Sequence, residues 1–93
     1  MEKAINYSEW ILVDDRLPEE RDSIFAKFKG TDKWKTGMFE KTSDTVIVTV
    51  CDDGGKHRTT TAHTNDGEWK INTFLHEEKV VAWTPLPDPY RYI

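Results

Sequence analysis

The sequence predicts a mainly β protein, a small antiparallel meander of about seven short strands that forms a sheet, a sandwich or a partly open barrel. Three observations predict it. Val80-Val81-Ala82-Trp83 is an unbroken apolar run closed by Thr84-Pro85-Leu86-Pro87, the pattern of a strand covered on both faces and ended by a residue without an N–H. Upstream segments alternate in polarity with the period of two that marks a half-buried strand. Between them stand Gly30-Thr31-Asp32, Asp52-Asp53-Gly54-Gly55 and Asn65-Asp66-Gly67, turn sequences that supply the positive φ angles of tight hairpins.

Taken in order, residues 1–9 are polar and aperiodic and read as an arm preceding a single domain at 10–93. Trp10-Ile11-Leu12-Val13 is the first apolar run and the first expected strand, stopped by Asp14-Asp15-Arg16. Leu17-Pro18-Glu19-Glu20 reads as a turn or one helical turn. In 23–29, Ile24, Ala26 and Phe28 face one way while Lys27 and Lys29 face the other. After a short loop, 34–40 returns with Trp34, Thr36 and Met38 on one face, and Gly37 interrupts it as a bulge or a close-packing point.

Residues 45–50 are the strongest β-former, with Val46, Val48 and Val50 on one face. Asp53-Gly54 then suits a type I′ turn into 57–64, a polar segment expected to be exposed or at an edge. A two-residue loop would put His57, Thr59 and Thr61 on the valine face, and a slip of one residue would reverse this, so the facing stays open. Trp69 and Ile71 follow the next turn. Residues 73–78 lack alternation and suit one helical turn or a loop, the single feature that would make the fold α+β. The tail from Pro85 to Tyr90 is proline-rich and expected to be extended. Core bulk is expected from aromatics: Trp10, Trp34, Trp69, Trp83, Phe25, Phe28, Phe39 and Phe74.

The 93 residues suffice for one modest core. A formal charge of −4 argues against nucleic-acid binding driven by overall charge. The lone Cys51 makes no intramolecular disulfide, the N-terminus lacks a signal-peptide apolar region, and no apolar run approaches a membrane span. These features lead us to expect a cytoplasmic protein without membrane contact, a monomer or small homo-oligomer.

Two stretches near the ends carry a resemblance. Trp10-Ile11-Leu12-Val13-Asp14-Asp15-Arg16-Leu17-Pro18-Glu19-Glu20 reads W-x-x-V-x-x-x-L-P-E-E, and Ala82-Trp83-Thr84-Pro85-Leu86-Pro87-Asp88-Pro89 reads A-W-T-P-L-P-D-P. In this order the chain resembles a family of small proteins from bacteria, phages and prophages, catalogued as domain of unknown function 551. Its members open with W-x-x-V-x-x-x-L-P and close on W-x-P-L-P. The resemblance spans residues 10–29 and 79–89, and no motif extends it through 42–67. Ala82 stands where the family pattern leads one to expect His. The resemblance implies a phage or prophage setting and transfers no catalytic residues.

A physical reading of these ends is a structural clasp. Trp10 would pack on Trp83 if the first and last strands are neighbours, with Leu17, Pro18, Pro85, Leu86 and Pro87 closing one rim. The same tryptophans and prolines could instead form a peptide- or ligand-binding surface, although buried aromatics are the commoner case.

Chemistry-bearing residues are sparse. Cys51, His57, His63 and His76 fit no paired-ligand zinc spacing, and His57 and His63 lie about 20 Å apart along a strand. Asp52 and Asp53 beside Cys51 would raise a thiol pKa rather than lower it. Ser8, Ser23 and Ser43 sit in no nucleophile elbow. Adjacent carboxylates point opposite ways on a strand. We expect no enzyme activity, catalytic residue, cofactor or metal. Lys27, Lys29, Lys33 and Lys35 around Trp34 form a basic hairpin that could grip single-stranded nucleic acid, or could guard an exposed strand against edge pairing. The expected function is a non-enzymatic protein-interaction module of phage or prophage type, with an unidentified host or phage protein as partner. Lys27, Lys29, Lys33, Lys35, Asp52 and Asp53 are its candidate surface. One alternative is an inhibitor of a host defence nuclease whose acids mimic DNA phosphates. The other is a single-stranded nucleic-acid binder using Lys27 to Lys35.

Overall fold

A valine strand sits at the centre of the molecule. The computed structural model describes residues 9–73 and 77–90. Residues 1–8 of the expected arm and residues 74–76 of the expected helical turn at 73–78, with Phe74 and His76 among them, lie outside the described residues. Seven strands form one antiparallel sheet: β1 (Ile11–Leu12), β2 (Glu20–Asp22), β3 (Lys41–Ser43), β4 (Val46–Cys51), β5 (His57–Asn65), β6 (Glu68–Ile71) and β7 (Lys79–Pro85). β4 lies between β5 and β7, since Val48 pairs with both Thr60 and Trp83. β1 adds outside β7 through Ile11↔Trp83 and Leu12↔Ala82, so the two ends of the chain are neighbours in the sheet.

β3 and β4 run along the same edge of β5. Asn65 pairs with Thr42 on one side and Glu68 on the other, and Ala62 pairs with Val46 and Ile71 in the same way. Between Ser43 and Val46 the chain therefore carries one more residue than β5 opposite, a bulge that interrupts the ladder. The buried Ser43 side chain repairs the gap. Its Oγ accepts from the Thr64 backbone N–H at 2.8 Å and donates to the Asp44 carbonyl at 2.9 Å. Thr64, wholly buried, donates its hydroxyl to Glu20 Oε2 at 2.7 Å, which also accepts from the Gly67 N–H at 2.9 Å.

Val46, Val48 and Val50 share their face with Ala62, Val80 and Trp83 as the core, and Ile11, Val13, Trp69 and Ile71 pack against it. Among the described residues the core is thus mostly small aliphatics, contrary to the expectation of aromatic bulk. Trp83 is buried at 6% exposure, while Trp10, Trp34, Trp69, Phe25, Phe28 and Phe39 are half-buried. β7 behaves as the apolar run implies. Val80, Ala82 and Trp83 are buried although Ala82 and Trp83 point to opposite faces, and a register shift opposite Thr49 and Val50 leaves Val81 as an extra residue.

The expected strands at 23–29 and 34–40 do not form. Residues 23–40 are a long loop between β2 and β3 with a 3-10 turn at Ala26–Phe28. Two contacts close its neck: the Ser23 N–H donates to the Glu40 carbonyl at 2.8 Å, and the Phe25 and Phe39 rings meet edge-on at 5.3 Å. Ser23 Oγ also donates to the Phe39 carbonyl at 2.5 Å. Aromatic packing inside the loop replaces the ladder that alternation suggested. Ile24, expected to face inward, is 79% exposed. Sequence reading also missed β2, a polar Glu-Arg-Asp strand without apolar alternation.

β5 is central rather than peripheral at Ala62 and Asn65, which pair on both sides; its first half has β4 on one side and is mostly exposed. Val50 pairs with Arg58, which puts Arg58, Thr60, Ala62 and Thr64 on the valine face. His57, Thr59 and Thr61 take the opposite face. The turn explains this register. Gly55, not Gly54, has the positive φ, at 87°, and the Asp52 N–H donates to the Lys56 carbonyl at 3.0 Å around a three-residue loop. Asp52 Oδ1 accepts from the N–H groups of Gly54 and Lys56, both at 2.9 Å. The hairpin expected at Asn65-Asp66-Gly67 forms, closed by a two-residue turn with Asp66 at φ 50° and Gly67 at φ 81°.

The two glycines of the first turn should respond differently to alanine. Gly55→Ala is expected to cost about 1–2 kcal/mol, because a Cβ is forced into the left-handed region. Gly54→Ala should be nearly neutral, its Cβ meeting only Asp52 Oδ1 at an ordinary 3.5 Å. Urea unfolding of both variants checks this, and a larger cost for Gly54→Ala than for Gly55→Ala would contradict the three-residue turn.

Candidate functional site

The bulge between β3 and β4 has a consequence on the opposite edge. Ser43 pairs with Glu20, and Val46 pairs with Pro85. β2 and β7 therefore lie along the same outer edge of the β3–β4 strand, with a gap between them at Asp44 and Thr45. Both gap residues are exposed and neither belongs to a ladder. This fork opens into a groove of about 490 Å³ lined by Pro18, Glu19, Asp44, Thr45, Val46, Trp83, Pro85 and Leu86.

Most of the terminal residues singled out by sequence meet here. Trp83 and Val46 form a buried apolar floor, and Pro18 is buried beside them. Trp83 Nε1 donates to the Arg16 carbonyl at 2.9 Å, which ties the first turn of the chain to its last strand and satisfies the indole donor. Pro85 and Leu86 form the exposed rim, Leu86 at 47% exposure. Leu17 and Pro87 are exposed and do not line the groove. The expected Trp10 contact gives way to another. Ile11 is the cross-strand neighbour of Trp83, because the register places Trp10 one residue before the strand and out of phase with that face.

The acids of the groove differ in how they are held. Asp44 pairs with Arg21 across the β2–β3 corner. Glu19 is exposed and has no hydrogen-bond or ion-pair partner among the described residues. Several carboxylates elsewhere serve the fold. Asp22 pairs with Lys41 at 2.5 Å, Glu40 with Lys29 at 2.9 Å, and Asp66 Oδ1 accepts from the Lys41 N–H at 2.8 Å. The carboxylates of Asp22 and Glu40 hold the Lys41 and Lys29 ammonium groups above the usual lysine range.

The candidate surface of Lys27, Lys29, Lys33, Lys35, Asp52 and Asp53 is not one patch. The four lysines lie on the 23–40 loop, whereas Asp52 and Asp53 form the β4–β5 turn. Lys27 Nζ lies 5.3 Å from the Phe28 ring centre and Lys29 is paired, while Lys33 and Lys35 are exposed. Asp52 is committed to its turn and Asp53 is exposed. His57, His63 and Cys51 all lie on the face opposite the valine core, His63 beside Lys70. Among the described residues no three His, Cys, Asp or Glu side chains cluster to hold a metal, and no helix is long and apolar enough to cross a membrane.

At the far end of the core, Arg58 forms a two-toothed ion pair with Glu78, Nε to Oε2 at 2.6 Å and a terminal nitrogen to Oε1 at 2.7 Å; the same nitrogen donates to Thr73 Oγ1 at 2.7 Å. The Glu78 side chain is 3% exposed. Hydrogen bonding from Arg58 holds its carboxyl below the usual carboxylate range. Because the folded-state value is depressed, the contribution to stability is complete above the unfolded carboxylate pKa of about 4.3 and fades as pH falls through the folded value. Glu78→Gln should therefore melt lower than the native protein at neutral pH, with the gap shrinking as the solution is acidified below about pH 4. Thermal melts across that range test it, and a constant gap would contradict it.

A family model described as "Protein of unknown function (DUF551)" matches residues 9–90. The chain belongs to this family. In this DUF551 protein the match runs through residues 42–67, which the terminal motifs leave out, and so includes the bulge and both hairpins. No curated protein and no solved structure matches the chain.

Proposed function

We propose that this DUF551 protein is a non-enzymatic accessory protein of phage or prophage type that works by binding another protein. The observation that carries the reading is the groove at the sheet fork, with its floor of Val46 and Trp83 and its rim of Pro85 and Leu86. An apolar concavity held open by a rigid sheet is a common form of docking site. Apart from Val46, the floor and rim come from the Trp-x-Pro-Leu-Pro segment that carries the family pattern, and Pro18 of the Leu-Pro segment lines the groove beside them. The acids support this reading better than DNA mimicry, because Glu20, Asp22, Glu40, Asp66 and Glu78 are engaged in bonds that hold the fold.

Affinity capture from host lysate tests the proposal. A captured protein should be retained by a Lys33→Ala/Lys35→Ala variant and lost with Leu86→Asp, whose exposed position leaves the core intact. Capture indifferent to Leu86→Asp would count against the groove.

A second reading has its own support. The 23–40 loop gathers four lysines against Asp32 and Glu40 in a chain of net charge −4, a local basic patch with Trp34 among them. Single-stranded DNA binding that weakens steeply with salt and disappears in the Lys33→Ala/Lys35→Ala variant would favour it.

A further inference from the structure

We infer that the groove at the fork takes an extended segment of a partner chain that carries a lysine or arginine beside an apolar residue. The inference rests on the docking role proposed above and names its ligand. Three features of the site select this class. The floor of Val46 and Trp83 and the walls of Pro18, Pro85 and Leu86 offer apolar contact to one side chain. At the mouth stand Glu19 and Asp44, and Glu19 has no partner among the described residues, so a cation placed there gains a carboxylate that no internal group already uses. Finally, the backbone at Asp44 and Thr45 lies outside both ladders, between the ends of β2 and β7. The Asp44 carbonyl is held by Ser43, so an extended chain would pair through the Thr45 backbone.

Other occupants fit less well. A proline-rich helix docks by taking a hydrogen bond from an aromatic donor, and the Trp83 indole already gives its proton to Arg16. An acidic peptide would face Glu19 and Asp44 on a protein whose net charge is −4.

The test is selection of short random peptides displayed against the full-length protein at low salt, followed by titration of the selected peptides while the Trp83 indole N–H signal is observed by NMR. Enriched sequences should carry Lys or Arg next to an aliphatic or aromatic residue and should shift the Trp83 signal. Glu19→Gln should weaken them about two- to fivefold, with the difference closing near 0.5 M salt. Leu86→Ala should weaken them about tenfold, the scale of one leucine side chain left in water. Both positions are exposed, and unchanged melting curves would show that each variant is folded. Enrichment of acidic or proline-rich peptides lacking a basic residue would overturn the inference, as would hits that ignore both variants. If no peptide is enriched, the assignment fails, yet a folded partner captured in a Leu86-dependent manner would still uphold the docking role.

Discussion

Trp83→Ala is expected to destabilise the protein by about 3–5 kcal/mol, the range for removing a large buried aromatic. Trp83 packs into the valine cluster, pairs across the ladder with Ile11 and Val48, and holds the Arg16 carbonyl through its indole N–H. Its loss would open a cavity in the floor of the fork and release the first turn of the chain. Trp83→Phe separates the two contributions. It keeps most of the apolar area, so only about 0.5–1.5 kcal/mol should be lost with the hydrogen bond. Chemical denaturation of both variants measures the costs. A cost below about 1 kcal/mol for Trp83→Ala would contradict the buried position.

Ser43→Ala should cost about 1–3 kcal/mol although it removes a single oxygen. At the bulge the Thr64 N–H has lost its place in the ladder and bonds Ser43 Oγ, and Thr64 is wholly buried. Alanine would leave that donor without a partner in the interior. Ser43→Cys offers a poor acceptor of similar shape and should recover little. Denaturation midpoints decide this, and amide exchange at Thr64 should accelerate more than at neighbouring β5 positions. A neutral Ser43→Ala would mean that the bulge is repaired in some other way.

Legibility varied along the chain for identifiable reasons. The strand at 45–50, the Asp66-Gly67 hairpin and the buried run at 80–83 were readable because their signals are local: β-branched alternation, positive-φ turn residues and an unbroken apolar run closed by proline. The 23–40 loop misled because Ile24, Ala26 and Phe28 alternate as a strand would. The pairing of Phe25 with Phe39 and of Ser23 with Glu40 is a non-local choice that alternation does not encode. Trp10 was a reasonable partner for Trp83, but one residue of register gave that place to Ile11. The groove could not be read at all. It exists because β2 and β7 end on the same edge with the bulge between them, a relation among segments distant in sequence.

From its residues alone, this chain was bound to be β-rich, since periodicity and turn chemistry act over a few residues. Register, the extra residue between Ser43 and Val46, and the use of Glu20, Ser43 and Thr64 to satisfy one another were settled only on folding. Those features depend on which backbone donors lose their partners when whole strands meet, and no short window of sequence contains that accounting.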